Sequence, residues 1–147
     1  MESTKATAKG TRGYIWYVGF RKSNGVIPLP WRWLCKENYE HVFAMRYDAK
    51  VDCWVLCEWL GRNLHIELLT GEKVEWMFHQ ASVQGNMIAY EGRYPERLVL
   101  NFRMPIYCVT WVKHLLGLKG CFAVTPYQLF CALRKRGGSV MFEQEDK

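Results

Sequence analysis

The chain has 147 residues, half of them hydrophobic, so it is long enough to bury the core of one domain and too apolar to remain disordered. Its net charge of +6 would suit an anionic partner, but the densest basic run, residues 134–136, stands at the end of a predicted helix, where cations offset the helix dipole. Nucleic acid is therefore not the expected partner. No apolar run approaches the ~20 residues of a membrane-spanning helix, so no membrane span is expected.

The cysteines indicate a reduced protein without a metal. They form no Cys-x-x-Cys pair and no disulfide framework, which is typical of buried thiols in a protein made in the cytoplasm. The polar start of the chain agrees, because it lacks the apolar segment of a signal peptide. Zinc bound by Cys53, Cys57 and His65 is disfavoured, since two cysteines on one strand at that spacing point too far apart. No metal and no cofactor are expected.

The pattern along the chain predicts a single domain. Residues 1–12 are expected to form a flexible arm, residues 13–143 the domain and residues 144–147 a short acidic tail. The domain begins with a predicted strand at 14–20, a turn at 23–25 and a loop rich in Pro and Trp. A β-rich block follows, with turns at 61–62, 70–71 and 91–92 and with strands at 41–47, 51–59, 63–69, 73–78, 87–90 and 98–103.

The period of the pattern changes after Pro105. From Cys108 onward, apolar residues fall at i, i+3, i+4, i+7 and i+8, which predicts one face of a helix that ends near Gly117. A second helix is predicted to begin with Thr125 as N-cap and Pro126 in its first turn. The fold class is therefore α+β, a meandering antiparallel sheet with two C-terminal helices on one face.

Cys108 stands in the first turn of the first of these helices. Free backbone N–H groups and the positive end of the helix dipole stabilise a thiolate there, and the same N–H groups can stabilise the oxyanion of an acyl transfer. Alternatively, Cys108 is only the first residue of the apolar stripe, because buried cysteines are common.

His41 and Glu58 are candidate partners for this thiol. If residues 49–50 form a two-residue hairpin loop, Asp48 pairs with Val51 and His41 lies opposite Glu58, within reach of a carboxylate–imidazole hydrogen bond. A one-residue slip would move Glu58 to the other face of the sheet. In the predicted site Glu58 orients the ring, His41 acts as general base and then acid, and Cys108 attacks a carbonyl.

The order of His, acid and helix-leading Cys resembles the circularly permuted branch of the NlpC-type, papain-like cysteine hydrolases, to which lecithin:retinol acyltransferase-like proteins belong. Residues 108–118 and the Thr-Pro-Tyr-Gln-Leu segment at 125–129 are also similar to small bacteriophage proteins. The resemblance extends over residues 41–136 and implies a papain-like fold with an amide or ester substrate, such as a peptidoglycan cross-peptide. Many members have a small polar residue before the Cys, where this chain has Tyr107, either an oxyanion donor or part of the core.

Two functions follow from this resemblance. The first is a thiol hydrolase, either an amidase or a peptidase. The alternative is a bacteriophage virion or tail component that keeps the fold without turnover, is incorporated in the phage particle and binds other virion proteins. A Cys108 thiol close to His41 in an open groove favours the enzyme, whereas a groove filled by Trp54, Trp111 or Tyr107 favours the structural protein.

Overall fold

The computed structural model describes residues 13–23, 31–92 and 107–144. Within these ranges the chain forms one short helix and three longer ones: α1 (Trp31–Leu34), α2 (Gly71–Gln84), α3 (Cys108–Leu115) and α4 (Pro126–Lys135). The strands are β1 (Tyr14–Arg21), β2 (His41–Asp48), β3 (Cys53–Leu60), β4 (Asn63–Leu69), β5 (Asn86–Gly92) and β6 (Ser139–Phe142).

The six strands form one sheet in the order β4-β3-β2-β1-β5-β6, and every neighbouring pair is antiparallel. The first four strands are sequential neighbours, as in a meander. β5 then returns to the free side of β1, so the first strand of the described chain lies in the interior of the sheet. The predicted α+β class and antiparallel sheet are confirmed.

Helices cover both faces of the sheet. On the α3 face, the strands contribute side chains such as Val18 and Val42 to a core shared with α3 and α4. On the α2 face, Phe43 and Met45 pack with α2. The prediction of two C-terminal helices on one face is thus confirmed, and α2 is an additional layer on the other face.

Helix α2 corrects the prediction of a strand at 73–78. The Oγ1 atom of Thr70, the N-cap, accepts a hydrogen bond from the Lys73 backbone N–H at 3.4 Å. Val74, Met77 and Ala81 form the buried stripe at i, i+3 and i+7. The apparent alternation of KVEWMF therefore belongs to a helix that is buried on one side only.

Other boundaries also differ from the prediction. The residues predicted as a turn at 91–92 lie in β5, residues 70–71 begin α2 instead of forming a turn, and β6 was not predicted. The predicted strand at 98–103, the arm at 1–12 and most of the turn at 23–25 lie outside the described residues, as do the last three residues of the acidic tail.

The hairpin between β2 and β3 was predicted in the wrong register. Asp48 pairs with Cys53 and Phe43 pairs with Glu58, so the loop has four residues, 49–52, instead of two. The Asp48 carboxylate accepts the Lys50 backbone N–H at 3.0 Å, and Asp52 takes a left-handed conformation (φ 51°) that closes the loop. Because the register moves by two residues, Glu58 nevertheless stays on the predicted face of the sheet.

Candidate active site at the rim of the sheet

His41 lies at the end of the sheet, where it can contact groups from both faces. It is the first residue of β2, and its register partner is Arg21, the last residue of β1. The His41 side chain is 13% exposed, and its Nε2 atom lies 2.8 Å from Oε1 of Glu58. Glu58 is the diagonal neighbour of His41, two residues further along the ladder than predicted, and the two side chains still meet.

Glu58 is a buried carboxylate held by two basic groups. It is only 6% exposed, and Oε1 accepts hydrogen bonds from Nη2 of Arg21 and from the His41 ring. Burial by itself would raise the pKa of Glu58, but the hydrogen bond from His41 and the charges of Arg21 and His41 outweigh it and lower the pKa. Glu58 is therefore ionised at neutral pH and can hold a protonated ring in place.

Arg21 is a member of this cluster that the sequence did not suggest. Its guanidinium bridges to Glu58 and lies 5.5 Å from the centroid of the Phe43 ring, the register partner of Glu58. Its side chain is 39% exposed, so it forms the solvent side of the ion pair. The sequence gives one signal for this place. Arg21 ends an apolar strand, and its odd position puts it on the same face of the sheet as Tyr17 and Gly19.

Cys108 reaches the same ring from the other side of the sheet. It begins α3, which packs on the α3 face through fully buried Val109 and Val112. Cys108 acts on the His41 ring together with Glu58, because both groups raise the pKa of the ring. The structure thus brings the three predicted site residues, Cys108, His41 and Glu58, together around one imidazole.

The ring between these two acidic groups has a raised pKa. Burial lowers the pKa of His41, but the hydrogen bonds to Cys108 and Glu58, together with the negative charges of both groups, raise it from 6.5 to about 9. At neutral pH the ring therefore keeps its proton beside the sulfur. An imidazolium in this place can neutralise a thiolate and later donate the proton to a leaving group.

The first backbone N–H groups of α3 lie next to the thiol. The first intrahelical hydrogen bond runs from the Trp111 N–H to the Tyr107 carbonyl, at 2.9 Å. The N–H groups of Cys108 and Val109 therefore have no acceptor within the helix. The Thr110 hydroxyl accepts the Tyr107 N–H at 2.9 Å and fixes the chain where it enters the helix.

Tyr107 precedes the thiol in an extended conformation (φ −145°, ψ 177°). Its hydroxyl donates to the Val124 carbonyl at 2.8 Å, and its half-buried ring packs against the core of the α3 face. Burial, and then the charge of Cys108, raise the pKa of the Tyr107 hydroxyl. The single hydroxyl proton is thus committed to Val124, which leaves the backbone N–H groups of α3 as the better oxyanion donors.

The two tryptophans that could have filled the site pack elsewhere. Trp54 lies on the α2 face, with its ring 5.5 Å from Tyr17 and 5.9 Å from Phe78. Trp111 is 5% exposed in the core of the α3 face, 6.3 Å from the ring of Trp59. Cys108 itself remains partly exposed.

The segment after α1 packs against α4. Burial raises the pKa of Cys35, and the charge of Cys108 raises it further. The next residue, Lys36, places its ammonium 4.4 Å from the centroid of the Tyr127 ring in α4. This contact holds the segment against α4.

The described residues contain no group of three or more His, Cys, Asp and Glu side chains that could hold a metal ion. Among the described helices none combines the length and the apolar character needed to cross a membrane. No protein-family model matches the chain, and no significant match was found among curated proteins or among solved structures.

Proposed function

We propose that this chain is a thiol hydrolase with a circularly permuted papain-like fold, in which Cys108 attacks an amide or ester carbonyl. The observation that supports the proposal most directly is the His41 ring, which bonds to the buried carboxylate of Glu58 and whose pKa is raised by both Glu58 and Cys108. A nucleophile, a base and a group that orients the base are the minimum set for covalent acyl transfer. A sheet followed by a Cys-led helix is also the order of the permuted family.

The proposed reaction has two halves. In the first, the Cys108 thiolate forms a bond to the carbonyl carbon, and the N–H groups of Cys108 and Val109 stabilise the oxyanion. The imidazolium of His41 then donates its proton to the leaving amine or alcohol, which departs and leaves a thioester. In the second half, His41 removes a proton from water, the hydroxide adds to the thioester, and the acid product leaves as the thiolate is restored. Glu58 and Arg21 position the ring throughout.

The substrate class follows from the resemblance. An amide or ester is the expected target, and a peptidoglycan cross-peptide is the natural candidate if the similarity to bacteriophage proteins extends to function. In the alternative, a virion or tail component that binds other virion proteins, the same three residues would be retained without turnover.

The reactivity of the thiol is the first test. We would measure the rate at which iodoacetamide alkylates Cys108 as a function of pH, by mass spectrometry, in the wild type and in His41→Ala. The wild-type Cys108 should be alkylated faster than Cys131 at neutral pH, and His41→Ala should abolish this advantage. A suitable control is His79→Ala, because His79 is exposed on α2 and lies on none of the elements that carry the three site residues. Its removal should leave the alkylation of Cys108 unchanged.

A second measurement tests acyl transfer itself. p-Nitrophenyl acetate should acetylate Cys108, releasing nitrophenolate in a burst, and the acetyl mass should appear on the peptide that contains Cys108. The burst should be lost in Cys108→Ala and slowed in His41→Ala. If Cys108 proves as inert as Cys131 in both experiments, the hydrolase proposal fails and the structural alternative replaces it.

A further inference from the structure

Strand β4 is the last strand at one side of the sheet, and within the described residues its outer edge has no partner strand. Of the described strands, only β3 pairs with it, in a register that joins Leu60 with Asn63 at one end and Trp54 with Leu69 at the other. The outer edge of a strand presents a row of N–H and C=O groups that can pair with another strand. Over seven residues, this edge is long enough to accept a partner strand.

The same strand exposes three aliphatic side chains in a row. Leu64, Ile66 and Leu68 alternate along β4, and 37%, 58% and 69% of their surfaces are exposed. They lie on the α3 face, beside Val55 and Trp59 of β3. Soluble domains usually protect an edge strand with charges, proline or a covering element. An exposed aliphatic row on an open edge is instead typical of a contact surface.

The residues between them are a hydrogen-bond donor and acceptor, an imidazole and a carboxylate. His65 and Glu67 point to the α2 face, and Glu67 also contacts the ammonium of Lys73. If two copies of β4 pair about a two-fold axis perpendicular to the sheet, the α3 faces of both sheets point the same way. Each residue then lies opposite a residue that points to the same face. The charge pattern then distinguishes the possible registers.

We propose that β4 pairs antiparallel with β4 of a second copy of this chain, with the two-fold axis at Ile66. In this register His65 lies opposite Glu67 of the second copy, twice over by symmetry, and Leu64 lies opposite Leu68. Centring the axis on His65 would oppose two histidines, and centring it on Glu67 would oppose two carboxylates, which is destabilising. Only the register at Ile66 places an imidazole opposite a carboxylate and aliphatic residues opposite each other, and it pairs the outer edges of both β4 strands.

The inference does not rest on the proposed hydrolase, although His65 of the interface is the register partner of Glu58. An interface made by a single strand pair is smaller than the ~1,200–2,000 Å² of stable complexes, so dimerisation should depend on protein concentration. The two sheets would become continuous through the interface.

Sedimentation velocity over a series of protein concentrations tests this proposal. The wild type should shift from monomer to dimer as concentration rises, and Ile66→Lys should remain monomeric because it places two ammonium groups at the axis. The matched control is Val83→Lys, a similar change at an aliphatic residue of α2 that is 51% exposed. It should dimerise like the wild type. Circular dichroism verifies that each variant is folded.

A charge swap tests the register. His65→Glu alone should weaken the dimer, because like charges then lie opposite each other, and combining it with Glu67→His should restore it. A wild type that stays monomeric at every concentration would overturn the proposal, and so would a dimer that Ile66→Lys leaves intact. Failure of the swap to restore the dimer would overturn the register at Ile66.

Discussion

Removing the two partners of His41 one at a time should move the pKa of its ring in a defined order. In the wild type the rise from 6.5 to about 9 corresponds to about 3 kcal/mol in favour of the protonated ring. Cys108→Ser keeps a hydroxyl near the ring but removes the negative charge, so part of this rise should be lost. Adding Glu58→Gln leaves burial as the dominant influence, and since burial disfavours the charged ring, the pKa should then fall below 6.5.

The titration can be followed by NMR from the carbon-bound protons of the imidazole rings. The chain has four histidines, and the resonance that disappears in His41→Ala assigns His41. His79 is an internal control, because its side chain is exposed on α2 and neither substitution is on that helix. A wild-type His41 that already titrates below 6.5, or a pKa that the double substitution does not lower, would refute the geometry on which the site is built.

Three further predictions concern the surroundings of this ring. The pKa of Glu58 lies below its ordinary value of 4.5, so the ionised carboxylate stabilises the fold above that pH and this contribution is lost on acidification. In urea unfolding, acid should therefore lower the stability of the wild type more than that of Glu58→Gln. Arg21→Ala should slow alkylation of the thiol less than His41→Ala does, and Arg21→Lys should partly restore the rate. Gly19→Ala should lower the free energy of unfolding by about 1–3 kcal/mol, because its Cβ would lie 2.1 Å from the Phe43 ring. Gly71→Ala is the control and should leave the free energy of unfolding unchanged, because a Cβ there meets no atom within 4 Å.

The helix that begins at Cys108 could be predicted because its signals are local. An apolar stripe at helical spacing and a preceding proline place its start within one turn, and the second helix has both Thr125 and Pro126 as start signals. In the structure Thr125 accepts the Gln128 backbone N–H at 3.2 Å, as an N-cap does. Such signals depend on a few neighbouring residues and not on the rest of the fold.

The contact between His41 and Glu58 was predicted on a register that proved wrong. Successive residues of a strand point to opposite faces of the sheet, so a register shift of two residues leaves every side chain on the same face. The Asp48 side chain, by bonding to the Lys50 N–H, favours a longer loop than the one assumed. Side chains as long as His and Glu then span the diagonal.

Local sequence patterns predicted neither the place of Arg21 in the site nor helix α2, for different reasons. The connection between β1 and β2 is long, so no turn sets the register that pairs Arg21 with His41. In α2, residues 73–78 alternate as a strand would, and only the longer window from Val74 to Ala81, with Thr70 as N-cap, favours a helix. The longer window predicts α2, whereas no sequence window predicts the contact of Arg21 with Glu58.

The interior place of β1 also has a consequence for the order in which the protein folds. The hairpins of β2, β3 and β4 are closed by loops of a few residues and can form early, whereas Tyr17 of β1 must find both Met45 and, much further along the chain, Ala89. Closing so large a loop costs chain entropy before any contact compensates for it. We therefore expect the docking of β1 between β2 and β5 to be part of the rate-limiting step of folding. His41 and Cys108 would then come together only as that step is completed.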